Sequence, residues 1–285
     1  MSEPRVTSAV LRAARRQART SLIRKYSTGA GLGNLLLPGI LLVVLWFVRD
    51  ADFSDGLVAA SGYVFSGFLA FGVVAAAVMG VAGELQTERD DGTLLRAKAV
   101  PHGMAGHLLA KLLITPVDAL IPIVPAVVGA AVLLPGTMPA ETGRWLLLLV
   151  VFLLTVAAML PWGAVLGSVF RSMVSFAWAM MGIYALAALS GLFFPLALLP
   201  TWLQWLAQAT PLYWIGVAFR WVLLPDSAAA AELGGEWRIG LALVVLVAWA
   251  VVGMLVAPAL LRRMARRQSG TVVAAARERV LNRGY

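Results

Sequence analysis

The sequence predicts an all-α polytopic membrane protein with six transmembrane helices. Of its 285 residues, 61% are hydrophobic and only 13% are charged, whereas about a quarter of the residues of a soluble domain are charged. The apolar residues are gathered into long runs, and about 20 consecutive apolar residues are enough to cross a bilayer. This composition excludes both a disordered chain and an ordinary soluble fold.

Six apolar runs within a transmembrane domain at 31–260 are the predicted crossings. They cover residues 32–48, 57–82, 108–134, 145–170, 174–194 and 237–260. The second run is rich in glycine and alanine, small residues that let another helix approach closely. The third contains Pro116, Pro122 and Pro125, so we expect it to be kinked, with some backbone carbonyls freed from helical hydrogen bonds.

The two ends of the chain carry most of its positive charge. Residues 1–30 hold seven Lys or Arg, and the tail at 261–285 holds seven Arg. Because cytoplasmic segments are enriched in Lys and Arg, both termini are predicted to be cytoplasmic. Arginine outnumbers lysine 20 to 3, which is typical of a GC-rich bacterial genome, so the expected location is the inner membrane of a bacterial cell.

Residues 1–30 also show a helical pattern. Apolar residues recur there at every fourth position, namely Val6, Val10, Ala14, Ala18 and Leu22. This spacing is typical of an amphipathic elbow helix that lies on the inner membrane surface. The alternative is a solvated basic tail.

Residues 195–225, between helices five and six, are apolar but contain several polar side chains and four tryptophans. Tryptophan is enriched at the level of the lipid headgroups. Since two cytoplasmic ends require an even number of crossings, we interpret this stretch as a re-entrant or interfacial helical pair on the outer face.

The sequence lacks the residue patterns that are typical of nucleotide-hydrolysing, zinc and thiolate sites. A phosphate-binding loop needs a glycine directly before its lysine, but Lys25, Lys98 and Lys111 follow Arg, Ala and Ala. His102 and His107 have no acidic residue between them, and the chain has no cysteine, so neither a zinc helix nor a thiolate site is expected. The sequence therefore predicts no catalytic residue, no metal site and no ATP site in this chain.

The segment at 84–101 differs from the basic cytoplasmic segments because its charge is close to neutral. Thr87 is placed to cap a short helix that starts at Glu88 and ends at Gly92, which would leave apolar residues 94–95 exposed. A short charged helix followed by an exposed apolar pair is typical of a docking element for a protein partner. The alternative is a connector that packs on its own helix ends.

The docking element resembles a motif of a known family. It comprises Thr87, Glu88, Arg89, Asp90, Asp91, Gly92, Thr93, Leu94 and Leu95, followed by Pro101 and Leu108 to Lys111. This resembles the Glu-Arg-acid-x-Gly-Thr-Leu, Pro, Leu-x-x-Lys stretch after the second helix of ABC type-2 permeases. A second resemblance, to the Pro-rich and Trp-rich outer-face segment of that family, is carried by Pro195, Pro200, Trp202, Thr210, Pro211, Tyr213 and Arg220. Thr210 stands where the family commonly has Asn.

The resemblance implies the membrane subunit of an ATP-driven exporter of apolar or amphipathic molecules. Two such permeases, identical or related, would pair with two copies of a separate ATP-binding-cassette ATPase, which would hold ATP and Mg. The docking element would be the coupling helix, and closure of the ATPases would switch the membrane cavity from inward to outward access. The implied partners also include membrane lipid but no nucleic acid.

Aromatic and methionine side chains suggest where a substrate would bind. The candidate cavity residues are Phe65, Phe68, Phe71, Met180, Met181 and Tyr184, because flexible and aromatic side chains suit loose recognition of apolar molecules. Packing of these residues against helices or lipid is the alternative.

Asp118 is a carboxylate inside the third apolar run. Inserting such a group costs about 2.5 to 3.5 kcal/mol, so it normally has a partner or a function. It would be neutralised or hydrogen-bonded by neighbouring helices, or else it would carry protons in a secondary transporter. A membrane scaffold or sensor that transports nothing, and a membrane-bound enzyme, are the further alternatives.

Overall fold

The computed structural model describes residues 36–53, 58–90, 103–134, 138–170 and 172–281, together with Thr20 and Ile23. Its α-helices are α1 Leu36–Val48, α2 Ala60–Val74, α3 Val81–Asp90, α4 Gly103–Leu133, α5 Thr142–Val169, α6 Met173–Leu189, α7 Thr201–Gln208, α8 Pro211–Leu223 and α9 Ile239–Leu281. A π-helical segment, Ala75–Gly80, joins α2 to α3, and 3-10 turns cover Leu196–Leu198 and Asp226–Ala231. Strands β1 Asp52–Phe53 and β2 Val58–Ala59 pair antiparallel.

Four helices in the described part of the chain are long and apolar enough to cross a membrane. They are Ala60–Glu88, Leu113–Leu133, Thr142–Val169 and Ile239–Leu261, and they coincide with predicted crossings two, three, four and six. The helical, multi-pass character predicted from the sequence is therefore confirmed.

Predicted crossings one and five correspond to two shorter apolar helices, Leu36–Val48 and Val174–Leu189. At about 1.5 Å per residue, each is shorter than the roughly 30 Å hydrocarbon core of a bilayer. The residues directly before Leu36 lie outside the described part of the chain. The total of six crossings stays a prediction.

The second crossing extends further than its hydropathy predicts. The helix was expected to end at residue 82 and a separate short helix to start at Glu88 with Thr87 as its cap, but α3 runs unbroken through both residues to Asp90. The hydroxyl of Thr87 donates a hydrogen bond to the carbonyl of Gly83, 3.2 Å away. Thr87 therefore bonds to the preceding turn of its own helix instead of capping a new one.

The two ends of the chain are described to different extents. Helix α9 passes the membrane span and continues through the predicted tail as far as Leu281, which adds roughly 30 Å of helix. Of the predicted elbow helix at 1–30, only Thr20 and Ile23 are described; both are helical and exposed. The rest of the elbow lies outside the described residues.

The continuous helix α2–α3 lies at the centre of the bundle. Its apolar window is 67% buried, against 22% for the spans of α4 and α9. Helix α5 packs closely on it because Gly163 and Gly167 have no side chains. A Cβ at Gly163 would lie 2.5 Å from the carbonyl oxygen of Ala77, and one at Gly167 would lie 3.0 Å from that of Ala82. This is the small-residue packing typical of membrane helices.

Candidate functional site

At one end of the bundle, a buried lysine joins the end of α3 to the start of α4. Lys111 is 5% exposed. Its ammonium group forms ion pairs with Glu84 and with Glu88, whose Oε1 is 2.9 Å away. A buried charge is tolerated when it is paired in this way. We call these three residues the Lys111 clamp; it fixes together the two helices that flank residues 91–102.

The predicted docking element is only partly described. Thr87 and Glu88 lie in the last turns of α3, and Arg89 and Asp90 complete that helix. Asp91, Gly92, Thr93, Leu94 and Leu95 lie outside the described residues. Glu88 contacts Lys111 of its own chain, which is the arrangement expected of a segment that packs on its own helix ends.

A second contact attaches the end of α3 to α5. The side-chain amide of Gln86 donates a hydrogen bond to the carbonyl of Phe170, 2.7 Å away at the end of α5. The last turns of α3 are therefore bonded to both α4 and α5.

At the other end of the bundle, a second buried charge is found on α8. The side chain of Arg220 is fully buried, and its Nε donates a hydrogen bond to Oε1 of Glu232, 2.6 Å away. Its Nη1 donates to the carbonyls of Gly191 and Leu192, both at 3.3 Å. The guanidinium also stacks on the ring of Tyr63, 4.3 Å from the ring centroid, an attractive cation–π geometry.

The carboxylate of Glu232 accepts hydrogen bonds from three side chains. Besides Arg220, it accepts hydrogen bonds from the hydroxyl groups of Tyr63 at 2.5 Å and Tyr213 at 3.3 Å. Arg238 in turn donates to the Tyr213 hydroxyl at 3.3 Å. We call Tyr63, Tyr213, Arg220 and Glu232 the Arg220 cluster. It ties α2, α8 and the segment before α9 together.

The predicted helical pair at 195–225 is present as α7 and α8. Pro200 precedes α7, and Pro211 is the first residue of α8, where its fixed backbone suits a helix start. Thr210 occupies the N-cap position of α8, but its hydroxyl donates to the carbonyl of Ala207, 2.8 Å away. Thr210 therefore closes the turn between the two helices.

Other residues of the predicted outer-face segment have different environments. Pro195 is buried at the start of the 3-10 turn Leu196–Leu198. Trp202 and Trp205 on α7 are 66% and 71% exposed. Exposed tryptophans are typical of the membrane interface; the interfacial position of this segment stays a prediction. Tyr213 and Arg220 are buried in the Arg220 cluster.

The six predicted cavity residues have different environments in the described part of the chain, and their role in substrate binding stays a prediction. The ring of Phe71 lies 5.5 Å from that of Tyr184 and 6.1 Å from that of Phe193, and Phe68 lies 5.4 Å from Phe193. Phe65 is buried in the core. Met180 is half-buried, whereas Met181 is exposed. The aromatic residues of α2 thus pack against α6 and the turn that follows it.

A separate cavity of about 270 Å³ lies between α1, the α2–π segment and α4. Of the six predicted residues, Phe68 is among its described lining residues. Asp118 also lines it, and this residue is 8% exposed. Helix α4 remains a single helix across Pro116 and Pro122 on either side of Asp118.

The comparison with protein-family models decides the family. Residues 27–257 match the model described as ABC-2 family transporter protein. The chain belongs to the ABC-2 transporter family. The membrane subunits of this family lack an ATPase site of their own and normally work with a separate ATP-binding subunit. No curated protein matches the chain at a significant level.

For this ABC-2 transporter, the sequence motifs identified the two regions but not all of their partners. Lys111 ends the stretch that resembles the family's loop motif after its second helix, yet its ion pairs were not predicted. The spacing of Glu84 and Glu88 was the available signal, because residues four apart share one face of a helix. Glu232 lies in an alanine-rich stretch with no motif, and Tyr63 lies in an apolar run. No group of three or more residues able to hold a metal ion occurs in the described part of the chain.

Proposed function

We propose that this chain is the permease subunit of an ATP-driven exporter that moves an apolar or amphipathic molecule out of a bacterial cell. Two copies of a separate ATPase would bind ATP and Mg, and residues 87–95 would form the coupling segment seated on them. The observation that carries this proposal is the match of residues 27–257 to the ABC-2 transporter family. The Lys111 clamp would then make the ends of α3 and α4 one mechanical unit around the segment that an ATPase would move.

The clamp connects directly to the walls of the cavity. Lys111 and Asp118 are seven residues apart on α4, which is about two helical turns, so they share one face. On the other side, α3 continues through the π-helical segment that lines the cavity. A displacement of the clamp would therefore shift two of the three cavity walls together.

The proposed orientation places the clamp in the cytoplasm and the Arg220 cluster at the outer face. The basic residues at both ends of the chain support this, as do the exposed tryptophans of α7. If α1 and α6 are also counted as crossings, the chain crosses the membrane six times and both termini lie in the cytoplasm. The elbow helix at 1–30 would lie on the inner membrane surface.

Helix α6 is the surface that we assign to a second permease subunit. Of its described side chains, only Ala187 is buried. Val174, Trp178, Met181 and Tyr184 are each more than half exposed, and their spacing of three or four residues places them on one side of the helix. A helix held this loosely by its own chain suits pairing with an identical or related permease.

An ATPase partnership is tested by co-expression with a candidate ATP-binding-cassette ATPase from the same organism, beginning with any that is encoded next to this chain. We expect the two to copurify and to hydrolyse ATP in proteoliposomes. Glu88→Lys should abolish coupled hydrolysis because it breaks the clamp, and the Glu88→Lys, Lys111→Glu exchange should restore it. Restoration by the exchange assigns Glu88 to the clamp; no restoration assigns it to the ATPase surface.

A chain that works without an ATPase would favour the secondary transporter. If no ATPase copurifies and flux follows a proton gradient without ATP, the exporter proposal fails. Asp118→Asn separates the two mechanisms, because it keeps the shape of the side chain while removing its charge. Transport driven by ATP should not require Asp118 to titrate, whereas proton exchange should stop.

A further inference from the structure

A second cavity, of about 480 Å³, lies at the end of the bundle that carries the Arg220 cluster. Its volume is within the range of about 300 to 1,000 Å³ that is typical of small-molecule sites. Among the described lining residues, Glu141 and Arg144 are the ionisable ones. The larger apolar side chains of its walls are Val58, Met138, Leu223 and Leu224. We call this cavity the Arg144 pocket.

The guanidinium of Arg144 is held in place by three hydrogen bonds. Its Nη1 donates to the carbonyls of Leu224 at 2.8 Å and Val222 at 3.4 Å, and its Nη2 donates to Oδ1 of Asp226 at 3.4 Å. A guanidinium has five N–H donors, so two of them have no acceptor among the described residues. The side chain is 28% exposed. A fixed guanidinium with donors to spare suits an anionic group that enters the pocket.

Glu141 places a negative charge in the same pocket. It occupies the N-cap position of α5, but its side chain does not cap the helix, and the residue is exposed. Arg144 follows it by three residues, which is about one helical turn, and forms its ion pair with Asp226. The pocket therefore presents a cation and a carboxylate close together. A ligand that carries both charges would complement them, whereas a purely anionic ligand would be repelled by Glu141.

The Arg144 pocket lies where two membrane spans begin. The spans are Ala60–Glu88 and Thr142–Val169, and the residues directly before them, Ala59 and Glu141, both line the pocket. Trp145, next to Arg144, is partly exposed, and its indole N–H donates to the carbonyl of Pro139, 3.0 Å away. Tryptophan is enriched at the level of the lipid headgroups. The pocket is therefore at the depth of the headgroups.

We propose that the Arg144 pocket binds the headgroup of a zwitterionic phospholipid that carries an ammonium group. Arg144 would donate to the phosphate, for which a guanidinium has matching geometry, and Glu141 would pair with the ammonium. The apolar walls would hold the glycerol unit and the first methylene groups of the acyl chains. Leu147, one turn along α5 from Arg144, is exposed and extends this apolar surface into the span.

This lipid site goes beyond the proposed export function. Binding does not depend on export, because the pocket lies within a single chain. Only the assignment of the lipid to the outer leaflet rests on the proposed orientation.

The test is native mass spectrometry of the purified full-length chain in a neutral detergent. The chain is titrated with phosphatidylethanolamine, phosphatidylglycerol or diacylglycerol that have identical acyl chains. We expect phosphatidylethanolamine to bind most tightly, because phosphatidylglycerol lacks the ammonium group and diacylglycerol lacks the whole headgroup. Arg144→Gln should weaken binding of phosphatidylethanolamine on the order of tenfold, the effect of losing a hydrogen bond between charged groups.

Arg49→Gln is the matched control. Arg49 is also partly exposed and paired with an aspartate, Asp50, at 3.1 Å. It lies just before β1, whose partner strand β2 lines the pocket, but it is not among the lining residues. This variant should bind phosphatidylethanolamine as the unaltered chain does.

Glu141→Gln gives a second arm that changes selectivity instead of affinity alone. The side chain of Glu141 does not cap α5, so its replacement should leave the fold intact. The variant should bind phosphatidylethanolamine and phosphatidylglycerol about equally, because the group that distinguishes them is gone while Arg144 still holds the phosphate. If Arg144→Gln does not elute as a folded species, this change in selectivity decides the result.

Four results would overturn the proposal. Equal binding of the three lipids would show that the headgroup is not recognised, and tighter binding of phosphatidylglycerol would make the pocket an anion site. Undiminished binding to Arg144→Gln together with unchanged selectivity of Glu141→Gln would place the lipid elsewhere. Displacement by soluble glycerophosphoethanolamine at similar concentrations would assign the pocket to a free phosphate ester. These measurements omit the ATPase, so a failure of ATP-driven export would leave the lipid result standing, and the reverse also holds.

Discussion

Arg220 is a full positive charge with no exposed surface, and its stability depends on Glu232. Removing one member of a buried ion pair typically costs about 3 to 5 kcal/mol, because the other is left without a counter-charge. We therefore expect Arg220→Met to lower the free energy of unfolding by this amount, measured by titration with SDS in mixed micelles. The Arg220→Met, Glu232→Leu double variant should lose less than the sum of the two single variants.

The ion pair between Arg144 and Asp226 provides the control for this experiment. It lies at 3.4 Å in the same region, but the side chain of Asp226 is 82% exposed. Exposed pairs contribute about 0 to 1 kcal/mol, so Asp226→Asn should change stability little. If Arg220→Met cost no more than Asp226→Asn, the Arg220 cluster would not hold α2 and α8 together.

The sequence motif identified Arg220 but could not identify the side chains that contact it. Arg220 itself was identified by its place in the outer-face motif. Tyr63 and Glu232 are 169 residues apart, and neither belongs to a motif or a helical pattern that brings them together. Only the packing of α8 between α2 and the segment before α9 makes them neighbours. The Lys111 clamp was closer to being predictable, since its two carboxylates follow helical spacing.

Helix α5 approaches the central helix so closely that glycine is required at one position. A Cβ at Gly163 would lie 2.5 Å from the carbonyl oxygen of Ala77. That contact is with backbone, which cannot move aside as a side chain can. Gly163→Ala should therefore destabilise the protein by about 1 to 3 kcal/mol through overpacking. Loss of thermal stability in detergent, followed by size-exclusion chromatography, measures this.

Gly143 lies at the start of the same helix, and a Cβ added there meets no atom within 4 Å. Replacing a helical glycine with alanine in open space normally stabilises by about 0.4 to 1 kcal/mol. We expect Gly143→Ala to be neutral or stabilising. Equal effects of the two substitutions would show that helix propensity, and not the close approach to Ala77, governs α5.

The ends of a helix were predicted well where the apolar run and the helix stop at the same residue, and less well where the helix continues past the apolar run. For α5 the predicted range 145–170 and the observed Thr142–Val169 nearly coincide. For the second crossing, hydropathy falls at residue 82, but the helix continues because its next residues favour helix and are bonded to α4 and α5. Hydropathy records where the membrane ends, which is a different boundary from the end of a helix.

At the scale of the whole molecule, class and family could be predicted from composition and two motifs. Apolar runs identify the four long spans without any knowledge of packing, because lipid imposes the same requirement on every crossing helix. The cavity could not be predicted, since it depends on a π-helical segment and on which helices become neighbours. The number of crossings depends on α1 and α6, whose apolar lengths are too short to decide it.

Topology is therefore the remaining prediction for the whole chain, and the absence of cysteine makes it directly testable. Single cysteines can be introduced on a silent background at Ser2, Ser54, Ser227 and Ser269. With six crossings and cytoplasmic termini, an impermeant thiol reagent added to intact cells should label only positions 54 and 227. All four positions should react after the cells are permeabilised. Labelling of position 269 in intact cells would mean an odd number of crossings, and labelling of position 2 as well would invert the proposed orientation and place the Lys111 clamp outside.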